Sequence, residues 1–211
     1  MGDKKVVVVV GGTGFVGQGI LAALSAENFE LHSFSRHQFN SQDPENHIVY
    51  HAVNLNHPGE WQDILKKADW VIDAVGILFP NPFKNVNYKN SSVEPAQKLL
   101  NVLTTADKTK FLFVSANATP FFLNAYLKAK LTVENTAKTL LGERAYNVFP
   151  GIVYDKSRMY SYIPAIILKF VQSIPGLRFL KRYRPVSREY FSKEVTHIIL
   201  GHLSELSQRK Y

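Results

Sequence analysis

The 211-residue chain contains no cysteine, which excludes disulfide staples, thiol catalysis and thiolate metal sites. No apolar run approaches the roughly 20 residues a helix needs to cross a bilayer. Met1 to Lys5 leads directly into a β-branched segment, so neither a membrane anchor nor a cleaved presequence is expected. The expected compartment is the cytosol, with the mitochondrial matrix as the alternative. Acidic residues are outnumbered, 17 against 25 lysines and arginines, for a formal charge of +8. Such an excess suits nucleic acid, an anionic surface or a phosphate-rich ligand. No nucleic-acid module accompanies it, so nucleic acid is not an expected partner. The densest basic run, Arg178-Phe179-Leu180-Lys181-Arg182-Tyr183-Arg184, reads as a solvated loop, with peripheral contact to acidic lipid headgroups or an anionic substrate as the sharper alternatives. The seven histidines form no ligand cluster. His47 and His51 are expected on one face of a strand without a third ligand, so no metal is expected. The remaining composition, 45% apolar and 20% charged, is that of one folded unit over 1–211, long enough to bury a core.

What is present near the N-terminus is decisive. Five valines, Val6 to Val10, run into Gly11-Gly12-Thr13-Gly14-Phe15-Val16-Gly17. An apolar run without alternation fits a strand covered on both faces, as in a parallel sheet. Gly11 then permits a tight turn, Gly14 lets backbone approach a diphosphate, and Gly17 lets the following helix pack closely. The helix N-terminus faces the anion with its positive dipole end. A mononucleotide loop is disfavoured, because no Gly-Lys-Ser or Gly-Lys-Thr follows.

Strand and helix patterns alternate along the rest of the chain, the mark of parallel βαβ units with right-handed crossovers. Helices are expected at 15–26, 60–67, 92–105, 124–141, 160–172 and 191–206, and strands at 30–35, 48–53, 70–75, 110–115 and 145–149. The fold class is therefore α/β, a doubly wound parallel sheet with helices on both faces and a small C-terminal helical cap over 156–190. Tyr160, Tyr162, Ile163, Ile166, Ile167 and Phe170 make that segment either core packing or the wall of a pocket for an apolar or aromatic small molecule.

The glycine spacing resembles the fingerprint of the extended and atypical short-chain dehydrogenase/reductases, whose fold is a Rossmann sheet. The resemblance implies that Gly11, Thr13, Gly14, Phe15, Val16 and Gly17 cup the diphosphate of a nicotinamide dinucleotide. An acid after the second strand would bind the adenine ribose hydroxyls. This chain has Ser35-Arg36 there, with Arg36 19 residues after Gly17. A guanidinium can hold a 2′-phosphate bidentately, so NADP(H) is favoured over NAD(H). Asn54 stands where many relatives place an aspartate that touches adenine. Ala74-Val75-Gly76 closes the fourth strand where the family's backbone skirts the ribose, and Pro150-Gly151 follows the sixth.

Tyr126 and Lys130 are i and i+4 on a helix, hence neighbours, and an ammonium so placed is expected to lower the phenol pKa. The pair matches the family's Tyr-x-x-x-Lys motif, in which the lysine also grips the nicotinamide ribose while the tyrosine exchanges a proton with a carbonyl or alcohol. The family's catalytic serine or threonine falls on Ala116, which offers no donor. Ser115, Asn117 and Thr119 are the nearby substitutes, with Ser115 taken as the third catalytic candidate. The motifs at Val75 to Leu78, Val114 to Ala116, Tyr126 to Glu134, Phe149 to Asp155 and Arg184 to Ser187 resemble one atypical branch. It includes the 39 kDa subunit of respiratory complex I and the coenzyme Q biosynthesis dehydrogenase-like protein. Phe149 departs from it, since relatives usually carry arginine before Pro150. Two classes of function stay open: an oxidoreductase, or a related epimerase or dehydratase, acting through Tyr126 and Lys130, and an accessory protein that holds the coenzyme without turnover. The substrate and the oligomeric state are not legible.

Overall fold

The computed structural model describes residues 4–25, 27, 29–41, 43, 46–119, 121–155 and 185–209. Six strands, β1 (Lys5–Val10), β2 (Phe29–Ser35), β3 (Val49–Ala52), β4 (Trp70–Asp73), β5 (Lys110–Val114) and β6 (Ala145–Val148), form one sheet in the order β3-β2-β1-β4-β5-β6. Every neighbouring pair is parallel. This is the doubly wound Rossmann arrangement, with its switch point between β1 and β4. The valine run is explained by the two faces it serves. Val8 and Val10 enter a core with Leu65, Leu99, Leu100, Phe111 and Phe113, while Val7 and Val9 enter another with Ile20, Leu21, Leu24, Ile72 and Phe191. Successive side chains alternate between two buried faces, so no polar position is left to break the run.

Helices α1 (Phe15–Ser25) and, at the C-terminus, α5 (Arg188–Leu200) cover one face. Helices α2 (Trp61–Lys67), α3 (Glu94–Leu103) and α4 (Asn124–Leu141) cover the other. The crossing of α1 and α5 is close: a Cβ on Gly19 would lie 2.7 Å from Arg188 Cγ and 2.8 Å from Ser192 Oγ. The strands lie within two residues of their expected bounds, and α4 matches them.

Three differences have local causes. The helix expected over 92–105 begins as a π-helical turn, Lys89–Val93, and becomes α-helical at Glu94. Pro95 has no N–H to donate, and the neighbouring Glu94 N–H bonds Lys89 O, five residues back. The last helix starts three residues before its expected 191, because Ser187 Oγ accepts the Tyr190 N–H at 3.2 Å as an N-cap. It stops at Leu200, where Gly201 adopts φ +92°. The third difference is a short parallel pair, β7 (Val153–Tyr154) with β8 (Val186–Ser187). Within the stretch 156–190 that was expected to form a cap, 186–190 are therefore strand and helix start. The expected helix over 160–172, Tyr160, Tyr162, Ile163, Ile166, Ile167, Phe170 and the basic run 178–184 lie outside the described residues.

Arg144, just before β6, ties the lower edge of this fold together. Its Nη1 donates to the carbonyls of Leu103 (3.3 Å), Ala106 (2.6 Å) and Thr109 (2.9 Å). These carbonyls span the end of α3 and the loop that leads into β5. Arg144→Ala is expected to cost about 2 kcal/mol in urea unfolding with no change in coenzyme affinity, since part-buried carbonyls lose a charged donor.

Candidate active site

The turn between β1 and α1 is fixed by backbone packing. Gly11 has φ +82°, and a Cβ there would lie 3.1 Å from the Ala74 carbonyl carbon. Its N–H donates to Phe34 O at 2.8 Å, joining the turn to the end of β2. Gly14 N–H donates to Gly11 O at 2.9 Å, and a Cβ on Gly14 would meet only that oxygen, at 3.1 Å. The space in front of Gly14 is otherwise open. Gly17 is the tightest position: its Cβ would fall 2.2 Å from Gly11 O, so the helix packs on the turn itself. No acid occupies the first turn of α1, and the amides of a helix's first turn lack acceptors within the helix. Thr13, Phe15 and Val16 belong to this same half-exposed turn. A turn of backbone donors with room before it and no opposing charge fits the diphosphate of a dinucleotide.

The expected base-side residues gather beside it. Ser35 ends β2, its hydroxyl donating to His37 O at 2.7 Å, and Arg36 is exposed next to it with no acid from Ser33 to Gln38. Asn54 follows β3, where its Oδ1 accepts the Asn56 N–H at 3.0 Å. Ala74 bonds Val10 O through its N–H at 2.9 Å, so residues 74–76 leave the sheet alongside the turn. His51 does not share a strand face with His47, as the sequence had suggested. His47 precedes β3 and is exposed, whereas His51 pairs with His32 (Nδ1···Nε2, 2.9 Å).

Tyr126 and Lys130 lie on α4 over the ends of β4 and β5. Lys130 is buried, its Nζ 5.7 Å from the centre of the Tyr126 ring and 4.5 Å from that of Phe113. It donates to Val114 O at 2.7 Å. Burial pulls its pKa down to about 8, against the pull of the Asp73 and Glu134 carboxylates. The expected lowering of the phenol pKa is reversed. Burial, and then the neighbouring Tyr88, push Tyr126 up to about 12. Tyr126 is therefore protonated at neutral pH.

Ser115 is buried, and its hydroxyl donates to Glu134 Oε1. The same carboxylate receives Arg209 Nη2 at 2.5 Å, and Arg209 Nε donates to Ala116 O at 3.4 Å. The Arg209 guanidinium lies 4.5 Å over the Phe149 ring. An arginine thus stands over Phe149, a contact that sequence spacing could not reveal. Pro150 and Gly151 follow β6 beside this cluster, with Pro150 O accepting the Asn117 N–H at 2.9 Å. Asp73 is the other residue that the pattern reading missed. It ends β4 fully buried, with one carboxylate oxygen on the Val75 N–H at 2.9 Å and the other without a partner among the described residues.

The family model for the NAD dependent epimerase/dehydratase family matches residues 7–120, more than half of the chain, including the glycine turn, most of β1 and all of β2 to β5. The chain belongs to the NAD dependent epimerase/dehydratase family. It is thus an enzyme of the short-chain dehydrogenase/reductase type that works with a nicotinamide dinucleotide. Solved structures agree on the fold. WbmF from Bordetella bronchiseptica, in complex with NADH, superposes with a TM-score of 0.64 at 14% identity, over 92% of this chain and 67% of that one. MoeE5, in complex with UDP-glucuronic acid and NAD, gives 0.64 at 15%, over 90% and 70%. UDP-N-acetylglucosamine 4-epimerase from Bacillus cereus gives 0.63 at 13%, over 98% and 75%. Among curated proteins, none matches the sequence significantly. Among the described residues, no helix of this epimerase/dehydratase family member is long and apolar enough to cross a membrane.

Proposed function

We propose that this family member is an NADP(H)-dependent oxidoreductase acting on a carbonyl or alcohol of a small molecule, with Tyr126 as proton donor and Lys130 as the ribose-binding cation. The observation that carries the reading is the side-by-side placement of a protonated phenol and a buried ammonium on α4, over the strand ends that border the glycine turn. When bound, the coenzyme supplies the hydride. The chain supplies the rest. The backbone of Gly11, Thr13, Gly14, Phe15, Val16 and Gly17 receives the diphosphate, and Arg36 with Ser35 receives the 2′-phosphate. Asn54 would meet the adenine. Ala74, Val75 and Gly76 would line the ribose, and Pro150 and Gly151 the nicotinamide end. Tyr126 delivers its proton to the developing alkoxide, and Lys130 stays close enough to steady the phenolate left behind. Ser115 serves by holding Glu134 and the 115–117 turn in place, since its hydroxyl is engaged there.

Saturating NADPH, at about 100 times Kd, is expected to stabilise the protein by about 2.7 kcal/mol in a thermal unfolding experiment; no shift with either coenzyme would reject the reading. Arg36→Ala is expected to weaken NADPH about 10- to 100-fold and leave NADH unchanged, because only the 2′-phosphate loses a charge-assisted bond. Equal losses for both coenzymes in a titration would assign Arg36 no discriminating role.

The nearer kinship within the family is with the branch of the complex I 39 kDa subunit. An apolar or aromatic small molecule is the corresponding substrate. A second reading, epimerisation or dehydration of a nucleotide sugar, is favoured by the family's own description and by MoeE5 with its UDP-glucuronic acid. Net coenzyme oxidation with a carbonyl panel supports the first reading. Conversion of UDP-sugars without net coenzyme oxidation supports the second.

A further inference from the structure

Three buried polar groups gather under Gly76. A Cβ on Gly76 would lie 3.4 Å from Lys130 Nζ and 3.5 Å from Ser92 Oγ, so both atoms face one point at an exposed glycine. Ser92 is 2% exposed and its hydroxyl has no hydrogen-bond partner among the described residues. Asp73, fully buried three residues before Gly76, has one carboxylate oxygen without a partner among the described residues and acts on the Lys130 ammonium. Unpartnered buried polar atoms are costly and rare, and a carboxylate in an apolar strand end is costlier still. Such groups persist where something else uses them.

We propose that Asp73 is a positioning residue whose buried carboxylate keeps the Lys130 ammonium charged, and that Ser92 Oγ and Lys130 Nζ together receive one ligand hydroxyl above Gly76. This rests on the reading of Lys130 as the ribose-binding cation and adds two residues to it. The groups that bear on the ammonium are Asp73 from β4, Glu134 and Tyr126 from α4 itself, Tyr88 through Tyr126, and Arg209 through Glu134. Glu134 is already matched by Arg209 and Ser115, which leaves Asp73 as the carboxylate that, among the described residues, has no donor of its own beyond one backbone amide. Burial raises the Asp73 pKa from 3.8 to about 6, so above that pH the carboxylate is charged beside a lysine that stays protonated to about 8.

Asp73→Asn keeps an oxygen for the Val75 N–H and removes the charge. In the wild-type chain, folded Asp73 holds a proton between pH 3.8 and about 6 that the unfolded chain has released, so stability falls as pH rises through that window. Folded Lys130 releases its proton above about 8 while the unfolded chain holds it to 10.5, so stability climbs again there. In thermal unfolding of the full chain, Asp73→Asn is expected to abolish the acid-side fall and start the alkaline climb at lower pH. Superimposable profiles of variant and wild type overturn the link between Asp73 and Lys130. NADPH titrations give the second readout. Asp73→Asn is expected to bind about fivefold more weakly near pH 8, where a Lys130 pKa lowered by about one unit takes it from half charged to mostly neutral, and normally near pH 6. Equal weakening at both pH values overturns the proposal. Ser92→Ala is expected to weaken NADPH several-fold at both, and an unchanged affinity removes Ser92 from the subsite. If the wild type binds neither coenzyme, the proposed function fails, and the unfolding profiles alone then decide the role of Asp73.

Discussion

Tyr126→Phe is expected to lower kcat by about 10³-fold on any carbonyl the enzyme reduces, with NADPH affinity within about twofold of wild type. The phenol makes no hydrogen bond to the described residues, and its ring rests against Tyr88 at 6.0 Å between centroids and against Lys130. Phenylalanine keeps those contacts, so the fold and the coenzyme site should not notice the change. Only the dissociable proton is lost. A phenol pushed to about 12 is fully protonated at neutral pH, which suits the reductive direction. Alcohol oxidation would need the phenolate and should therefore accelerate as pH rises, until another group fails. The assay is steady-state coenzyme oxidation followed at 340 nm together with a binding titration. If both coenzyme binding and turnover are retained in Tyr126→Phe, the proton comes from another group. If binding falls in step with turnover, Tyr126 is part of the coenzyme site and not a proton donor.

The fold could be read from the chain because its strongest signals are local. Val6 to Val10 report a two-faced strand, the glycines report a turn that no side chain can enter, and Asn124 to Leu141 carries its helical period within one segment. Misplaced helix ends also had local markers, Ser187 as an N-cap and Gly201 as a stop, which the apolar pattern alone passes over. The site was only half legible. Tyr126 and Lys130 are four residues apart, so their meeting is dictated by the helix. Arg209 meets Glu134 across 75 residues, and no spacing rule encodes that contact. Asp73 sits in the apolar frame of Trp70 to Val75, where an acid looks like the polar end of a strand until its burial is known. The phenol pKa went the other way for a related reason: proximity on one helix face was legible, but the desolvation that outweighs it belongs to the tertiary structure.

Gly17→Ala is expected to destabilise the protein by about 3 kcal/mol and to abolish measurable coenzyme binding together. Alanine is favoured over glycine in a helix interior by about 1 kcal/mol, so propensity alone would predict a gain. The clash decides the sign. The new Cβ would lie 2.2 Å from Gly11 O, 2.7 Å from Gly12 Cα and 2.9 Å from Gly11 C, all backbone, with no flexible side chain able to give way. Relieving it means moving α1 off the turn or breaking the Gly11 N–H to Phe34 O and Gly14 N–H to Gly11 O bonds, and overpacking of this kind typically costs 1–3 kcal/mol, sometimes more. Gly14→Ala separates the two roles. Its Cβ meets only one oxygen, at 3.1 Å, and otherwise points into the space the diphosphate would fill. That variant should unfold in urea within about 1 kcal/mol of wild type and still lose the NADPH-dependent stabilisation. A Gly14→Ala protein that binds NADPH normally would move the diphosphate off this turn, whatever Gly17→Ala does.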